Sequence, residues 1–209
     1  MIYLVIPPVA DCFMPTLGVT QIAGYLKEEK VNCQVFDANA ELTYNIFNMI
    51  NQISDNVKQI IWDDEEYSYK NVVAAMNFYS ACNEQFSIYP DDFKTDFCWR
   101  DLDKTIEFVN SDTSFHKKIE ELSFVKNLKL QEETFYCGFS VSYESQVIPT
   151  MILAKIMKKK YPKIKICIGG SLLYNYENDF YKLFYLSELI DSDKLISLSI
   201  VLVNLNPRI

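Results

Sequence analysis

The apolar positions of this chain follow an alternating strand and helix pattern at its two ends and a different pattern in its middle. Residues 2–6, Ile-Tyr-Leu-Val-Ile, are an unbroken apolar run halted by Pro7-Pro8. A run of this length predicts a strand buried on both faces. A loop follows through Pro15. From Leu17 the apolar spacing becomes helical, with Leu17, Ile22 and Leu26 on one face and Lys27-Glu28-Glu29-Lys30 as a polar end. Residues 33–36, Cys-Gln-Val-Phe, predict a second strand that ends at Asp37-Ala38-Asn39. Strand, loop, helix and strand in this order make a βαβ unit, with parallel strands and a right-handed crossover.

Residues 40–134 break the pattern. They are rich in Asn, Asp, Glu, Phe and Tyr, hold no glycine, and have Pro90 as their only proline. Helical stretches are expected at 40–61, 68–83, 101–111 and 114–130. In the last of these Phe115, Ile119, Leu122 and Lys126 share one face. So long a stretch exceeds any ordinary crossover and predicts a helical insertion.

The first pattern then returns. Residues 135–141, Phe-Tyr-Cys-Gly-Phe-Ser-Val, predict a third strand, and Ser142-Tyr143-Glu144-Ser145 a loop. Pro149 suits the first turn of a helix. Ile152, Ile156 and Met157 carry that helix's apolar face down to Tyr161-Pro162. Residues 164–168, Ile-Lys-Ile-Cys-Ile, predict a fourth strand ending in Gly169-Gly170-Ser171, followed by a helix at about 178–187. Leu198-Ser-Ile-Val-Leu-Val203 is a candidate fifth strand. The expected fold is α/β: a three-layer αβα arrangement, flavodoxin-like in outline, on a parallel sheet of about five strands. Residues 1–39 and 135–209 would form that domain, with 40–134 inserted. In such sheets ligands bind beyond the carboxyl ends of the strands, where strand order reverses. For an order 2-1-3-4-5 the crevice opens between the first and third strands, lined by loops 7–18 and 141–146, with 169–175 nearby.

Composition narrows the functions. The 209 residues carry a net charge of −8, and 49% are hydrophobic, which excludes a disordered chain. The acidic balance argues against a nucleic-acid partner. No apolar run is long enough for a transmembrane span, and the first strand lacks the features of a signal segment, so a cytoplasmic protein without a membrane partner is expected. Six scattered cysteines form no C-x-x-C pair, so neither a zinc site nor a disulfide framework is indicated, and buried free thiols are expected. His116 is the only histidine. Beside Lys117 and Lys118 it is expected on a solvated face, and His-dependent triads lack support. Asp63-Asp64-Glu65-Glu66 and Asp91-Asp92 read as solvated acidic clusters. Neither a P-loop nor a G-x-G-x-x-G fingerprint occurs.

The candidate chemistry lies at the expected strand ends. Gly169-Gly170-Ser171 removes side chains where a backbone turns or a ligand approaches, and a leucine at Gly170 is expected to enter the cleft. Ser140 and Ser142 point to the same face by alternation and offer hydroxyls to a phosphate, a ribose or an amide. Ser145 stands where it can cap the following helix. The segment from Pro7-Pro8 through Pro15 to Leu17-Gly18 leads into a helix N-terminus, which offers free N–H groups to an anion or simply closes a turn.

Three stretches together resemble the amino-terminal cobalamin-binding-type domain of B12-dependent radical SAM proteins, in the branch linked to maturation of ribosomally made peptides. They are Leu4-Val-Ile-Pro7-Pro8 through Pro15-Thr-Leu17-Gly18 to Ala23-Gly24-Tyr-Leu26; Val35-Phe-Asp37-Ala38-Asn39; and Cys137-Gly-Phe-Ser140-Val-Ser142-Tyr143-Glu-Ser145-Gln146 through Ile168-Gly169-Gly170-Ser171. The resemblance covers about residues 2–39 and 135–180. It implies a Rossmann-like domain whose cleft takes the nucleotide tail of cobalamin, with the corrin ring over the strand ends. Ser140, Ser142, Tyr143, Gly169, Gly170 and Ser171 would then approach the tail, and the loop from Pro8 through Pro15 and Leu17 to Gly18 would lie near the corrin. In the family a further domain holds an iron–sulfur cluster and makes a radical from S-adenosylmethionine, often for methyl transfer. This chain has no C-x-x-x-C-x-x-C for that cluster and no D-x-H-x-x-G for a histidine ligand to cobalt. It also departs from the family after Asp191. The resemblance therefore implies an accessory domain, not catalytic alone, that serves a radical SAM partner in trans. Two other readings stay open: a scaffold that holds a peptide or partner through its aromatic, acidic helical part, and a flavodoxin-like binder of another nucleotide.

Overall fold

The computed structural model describes residues 1–13, 17–52, 67–128, 135–186 and 189. In chain order its elements are β1 (Ile2–Ile6), α1 (Leu17–Glu28), β2 (Cys33–Asp37), α2 (Ala38–Asn51), α3 (Tyr69–Ala81), β3 (Ser87–Tyr89), β4 (Asp92–Lys94), α4 (Leu102–Asn110), α5 (Ser114–Glu120), α6 (Ser123–Asn127), β5 (Phe135–Ser140), a 3-10 turn at Glu144–Gln146, α7 (Val147–Lys160), β6 (Ile164–Gly169) and α8 (Ser171–Leu186). The fold is α/β with a parallel four-stranded sheet in the order β2-β1-β5-β6, in a three-layer, Rossmann-like arrangement. The candidate fifth strand at 198–203 lies outside the described residues.

Alternation along β1 assigns the two layers. Leu4 and Ile6 pack with Val19 and Leu26 of α1. Tyr3 and Val5 join Cys137 and Phe139 of β5, Val141 just after it, and the apolar side chains of α7 on the other face. The two crossovers run in opposite directions from the β1–β5 pair, and right-handed crossovers place α1 and α7 on opposite sides. The expected α1 face needs one correction. Leu17, at its first residue, is 68% exposed, and Val19 with Leu26 carries the contact instead.

Helix α7 is buried almost all round. Every residue from Val147 to Ala154 is buried, and Met157 as well. A helix of this kind is covered on two sides. The sheet covers one, and α4 and α5 of the insertion cover the other. Apolar residues of the insertion, among them Val72, Met76, Phe108, Phe115 and Phe124, belong to the same core as Tyr3 and Val5.

The insertion differs from its expected form in two places. It contains a β-hairpin, β3 paired antiparallel with β4 across Pro90-Asp91. Ser80 of α3 fixes the hairpin, its hydroxyl accepting from Ile88 N at 2.7 Å and donating to Ile88 O at 3.0 Å. The helix expected at 40–61 is α2, with residues beyond 52 outside the description. The helix expected at 114–130 breaks between α5 and α6. Leu122 turns fully into the core there. Glu41 of α2 accepts from Ser123 N at 2.6 Å and from its hydroxyl at 2.9 Å, so a tertiary carboxylate takes a donor that a continuous helix would use. The helix expected at 178–187 starts earlier, at Ser171. No helix among the described residues is long and apolar enough to cross a membrane.

His116 is the clearest departure. It is buried, at 7% exposure, and completes a capping box at the start of α5. Its Nδ1 lies 3.3 Å from Thr113 N and 2.8 Å from Thr113 Oγ1, and its Nε2 lies 3.3 Å from Val109 O. A neutral ring with its proton on Nε2 satisfies all three partners; a proton on Nδ1 would face the Thr113 N–H. Burial pushes the imidazole pKa down, reinforced by Lys155 and opposed by the Val109 carbonyl, Asp112 and Glu120. The unfolded chain therefore binds the proton more readily than the folded one. The stability this group protects is present above its unfolded pKa of about 6.5 and is lost as pH falls below it. Urea unfolding of the protein and of His116→Gln across pH 7.5 to 5 is expected to show a steeper loss of stability for the parent chain. Parallel curves would refute the buried neutral ring.

Candidate functional site

The carboxyl end of the sheet is built around two loops. After β1 the chain passes over the strand ends as Pro7–Ala10, every residue buried. Asn39, 4% exposed, pins this passage by donating from Nδ2 to Ala10 O at 2.8 Å and accepting from Ala10 N at 2.9 Å. Asp37 caps α2 by accepting from Ala40 N at 2.8 Å. After β5 the chain turns through Ser142–Gln146 into α7. Gln146, fully buried, ties the two loops: its Oε1 accepts from Ser142 N at 2.8 Å and Tyr143 N at 3.2 Å, and its Nε2 donates to Pro7 O at 2.7 Å. Ser145 adds a bond from its hydroxyl to Val9 O at 2.7 Å, so it links the loops and does not cap α7. The crevice expected between β1 and β5 is thus laced shut at its root.

Beside this lacing, β5 and β6 present contrasting faces. Toward α7 they show Cys137, Phe139 and Val141 with Ile164, Ile166 and Ile168, all buried. Toward the α1 side the upper positions are Gly138 and Ser140 opposite Cys167 and Gly169. Ser140 is 7% exposed, and its hydroxyl makes no hydrogen bond among the described residues. A buried hydroxyl without a partner costs about 1–3 kcal/mol, which a bound acceptor or donor would recover. Ser171, exposed at the start of α8, donates to Ser142 O at 3.5 Å.

Gly170 has a different role from the one expected. Its φ is +118°, and a Cβ there would lie 2.1 Å from Val141 O. Val141 N donates to Gly169 O at 2.7 Å and Leu172 N to Val141 O at 3.3 Å, so β5 and the turn after β6 stay in backbone contact past the strand ends. A side chain at Gly170 would strike this backbone before reaching any cleft.

Of the sequence-predicted residues, Ser140, Ser142, Gly169, Gly170 and Ser171 are brought together. Tyr143 stands on the rim, 47% exposed. Leu17 and Gly18 are exposed at the start of α1, and a Cβ at Gly18 would meet nothing within 4 Å. Pro8 is buried beneath the lacing, and Pro15 lies outside the described residues. Compared with protein-family models, curated proteins and solved structures, the chain matches none. Among the described residues no group of three or more His, Cys, Asp or Glu side chains comes together to hold a metal ion.

A clasp from the insertion reaches the same rim, and the sequence pattern did not reveal it. Glu144 accepts from the Trp99 indole N–H at 2.9 Å and from the Arg100 guanidinium at 3.3 Å. That guanidinium lies 4.4 Å from the Tyr176 ring centroid. The Trp99 bond, with Tyr176 and Arg100, holds the Glu144 carboxyl below its ordinary pKa although burial pushes it up.

Two stability measurements follow from this geometry. Gln146→Leu leaves two N–H groups and the Pro7 carbonyl without their partner, and a loss of about 2–4 kcal/mol is expected in denaturant unfolding. Gly170→Ala is expected to cost about 2 kcal/mol or more through strain and the Val141 contact. Near-neutral values would mean that the lacing or the backbone approach is wrongly placed.

Proposed function

We propose that this chain is a cobalamin-binding-type accessory domain, without catalytic activity of its own, that serves a radical SAM partner supplied in trans in methyl transfer or peptide maturation. The observation that carries the reading is the unpartnered, buried Ser140 hydroxyl on a floor of small residues at the carboxyl ends of β5 and β6. The donor set suits a slender polar group such as a nucleotide tail: hydroxyls from Ser140, Ser142 and Ser171, and glycines that leave backbone accessible. Leu17, Gly18 and Tyr143 are exposed, and in this reading they would form the rim that meets the broad ring. Cobalamin, when bound, supplies a transferable methyl group. The residues of this chain would hold and orient it, and the rim would meet the partner. Within the chain's own setting a cytoplasmic location is part of the same proposal.

The test is a titration with hydroxocobalamin, followed by visible spectrum and thermal stability. Saturable binding in the micromolar range or tighter is expected, with stabilisation of about 2.7 kcal/mol at a ligand concentration of 100 Kd. Gly18→Leu gives a sharper control than Gly170→Leu, because its side chain enters open space. It is expected to leave the melting temperature unchanged or slightly raised, since leucine favours a helix over glycine. It is expected to weaken cobalamin binding ten-fold or more. The absence of any spectral or thermal change would overturn the cofactor and favour the scaffold reading.

A further inference from the structure

A strip of aromatic rings lies on the other side of the sheet's carboxyl end. Tyr69, Phe13, Tyr67 and Tyr44 follow one another with ring centroids 5.7, 5.8 and 5.5 Å apart. Tyr67 is the anchor. It packs edge-on against Phe47 at 5.2 Å and abuts the core that contains Tyr3 and Val5. Its hydroxyl donates to Cys12 Sγ at 3.9 Å. The other three rings are left 44–52% exposed. Single exposed aromatics are unremarkable, but contiguous ones mark contact surfaces.

Among the described residues two carboxylates, those of Asp11 and Asp37, lie near the strip. Asp11 accepts from Phe13 N at 2.9 Å, which holds a carboxylate beside the backbone of that residue. Asp37, at the start of α2, is exposed and close enough to act on the Tyr67 hydroxyl. Lys70, next to Tyr69 in the chain, makes an interaction of its own. The whole chain carries −8. Ring faces attract cations within about 6 Å, arginine above all, and flanking carboxylates add to that attraction.

We infer that the strip Tyr44–Tyr67–Phe13–Tyr69, flanked by Asp11 and Asp37, is a docking surface for an arginine-bearing segment of a partner polypeptide. The guanidinium groups lie on the exposed ring faces and the carboxylates neutralise them. The strip sits against the α2 and α7 layer, whereas the Ser140 floor faces α1, so this inference does not rest on the cofactor reading. Tyr67 and Cys12 hold the rings in place and need not touch the partner.

The test uses the full chain at 150 mM salt, where long-range attraction is screened. The probe is a fluorescein-labelled hexapeptide of alternating arginine and glycine. A second hexapeptide has citrulline in place of arginine, which keeps the shape and removes the charge. Saturable binding by anisotropy is expected for the arginine peptide, and at least ten-fold weaker binding for the citrulline peptide. Tyr44→Leu and Tyr69→Leu keep apolar area but remove a ring face, and each is expected to weaken binding five-fold or more with an unchanged circular dichroism melt. Tyr174→Leu, whose ring is 93% exposed on α8, is the control and should bind as the parent does. No saturable binding, equal binding of the citrulline peptide, or equal loss in Tyr174→Leu would each overturn the inference.

Discussion

The lacing by Gln146 is the constraint on which the rest of this architecture depends. One buried side-chain amide satisfies three backbone groups from two loops that are 139 and four or fewer residues away in sequence. Buried backbone groups must be paired, and here regular structure has ended on both strands, so no ladder can pair them. The amide carries the pairing across the gap, and Ser145 repeats the device one residue earlier. This makes the sheet's carboxyl end asymmetric. On the α7 side the two loops are closed onto each other. On the α1 side the small residues of β5 and β6 remain as the floor of the candidate site.

The same asymmetry explains the insertion. Helix α7 follows Gln146 directly and is apolar on nearly every side, so the sheet alone cannot cover it. The insertion supplies the second cover through α4 and α5, and its core is continuous with that of the sheet. Lys155 and Lys160 send their ammonium groups to carbonyls of the insertion: Lys155 to Val109 O at 3.1 Å and Lys160 to Val125 O at 2.7 Å. These bonds end on the last turns of α4 and α6, where carbonyls lack helical partners.

Strand β1 was legible as an uninterrupted apolar run, and β2, β5 and β6 as short, largely apolar segments stopped by Asp37, Ser140 and Gly169. Ile2–Ile6 and Ile164–Gly169 fall where the pattern puts them. The helices were legible in position and less so in face. A count of one stripe on α7 missed that the run from Val147 to Ala154 has no exposed side. The hairpin at Ser87–Lys94 is short, and its pairing relies on Ser80, which pattern alone does not expose. His116 was misplaced because the neighbouring lysines suggested water. Its partners, Thr113 and Val109, fit a capping role that a Thr-x-x-His spacing does not announce. At the candidate site, Ser140, Ser142 and the glycine pair were singled out from their place at strand ends. Gln146, Asn39 and Glu144 were not assigned roles, because their partners are distant in sequence and no local spacing encodes them.

Gly170 and Tyr176 show how the site is tied to both halves of the molecule. The glycine lets the turn after β6 press against Val141, so the first residues of α8 take their position from β5. Six residues after Gly170, Tyr176 leaves helical geometry, with φ of −134° and ψ of 31°. At that break it meets the clasp of Arg100 and Glu144. The opening turn of α8, which carries Ser171, is therefore held at one end by the sheet and at the other by the insertion. The geometry of the candidate site is in this way a joint property of the αβ core and the inserted segment, and the clasp is the contact through which one acts on the other.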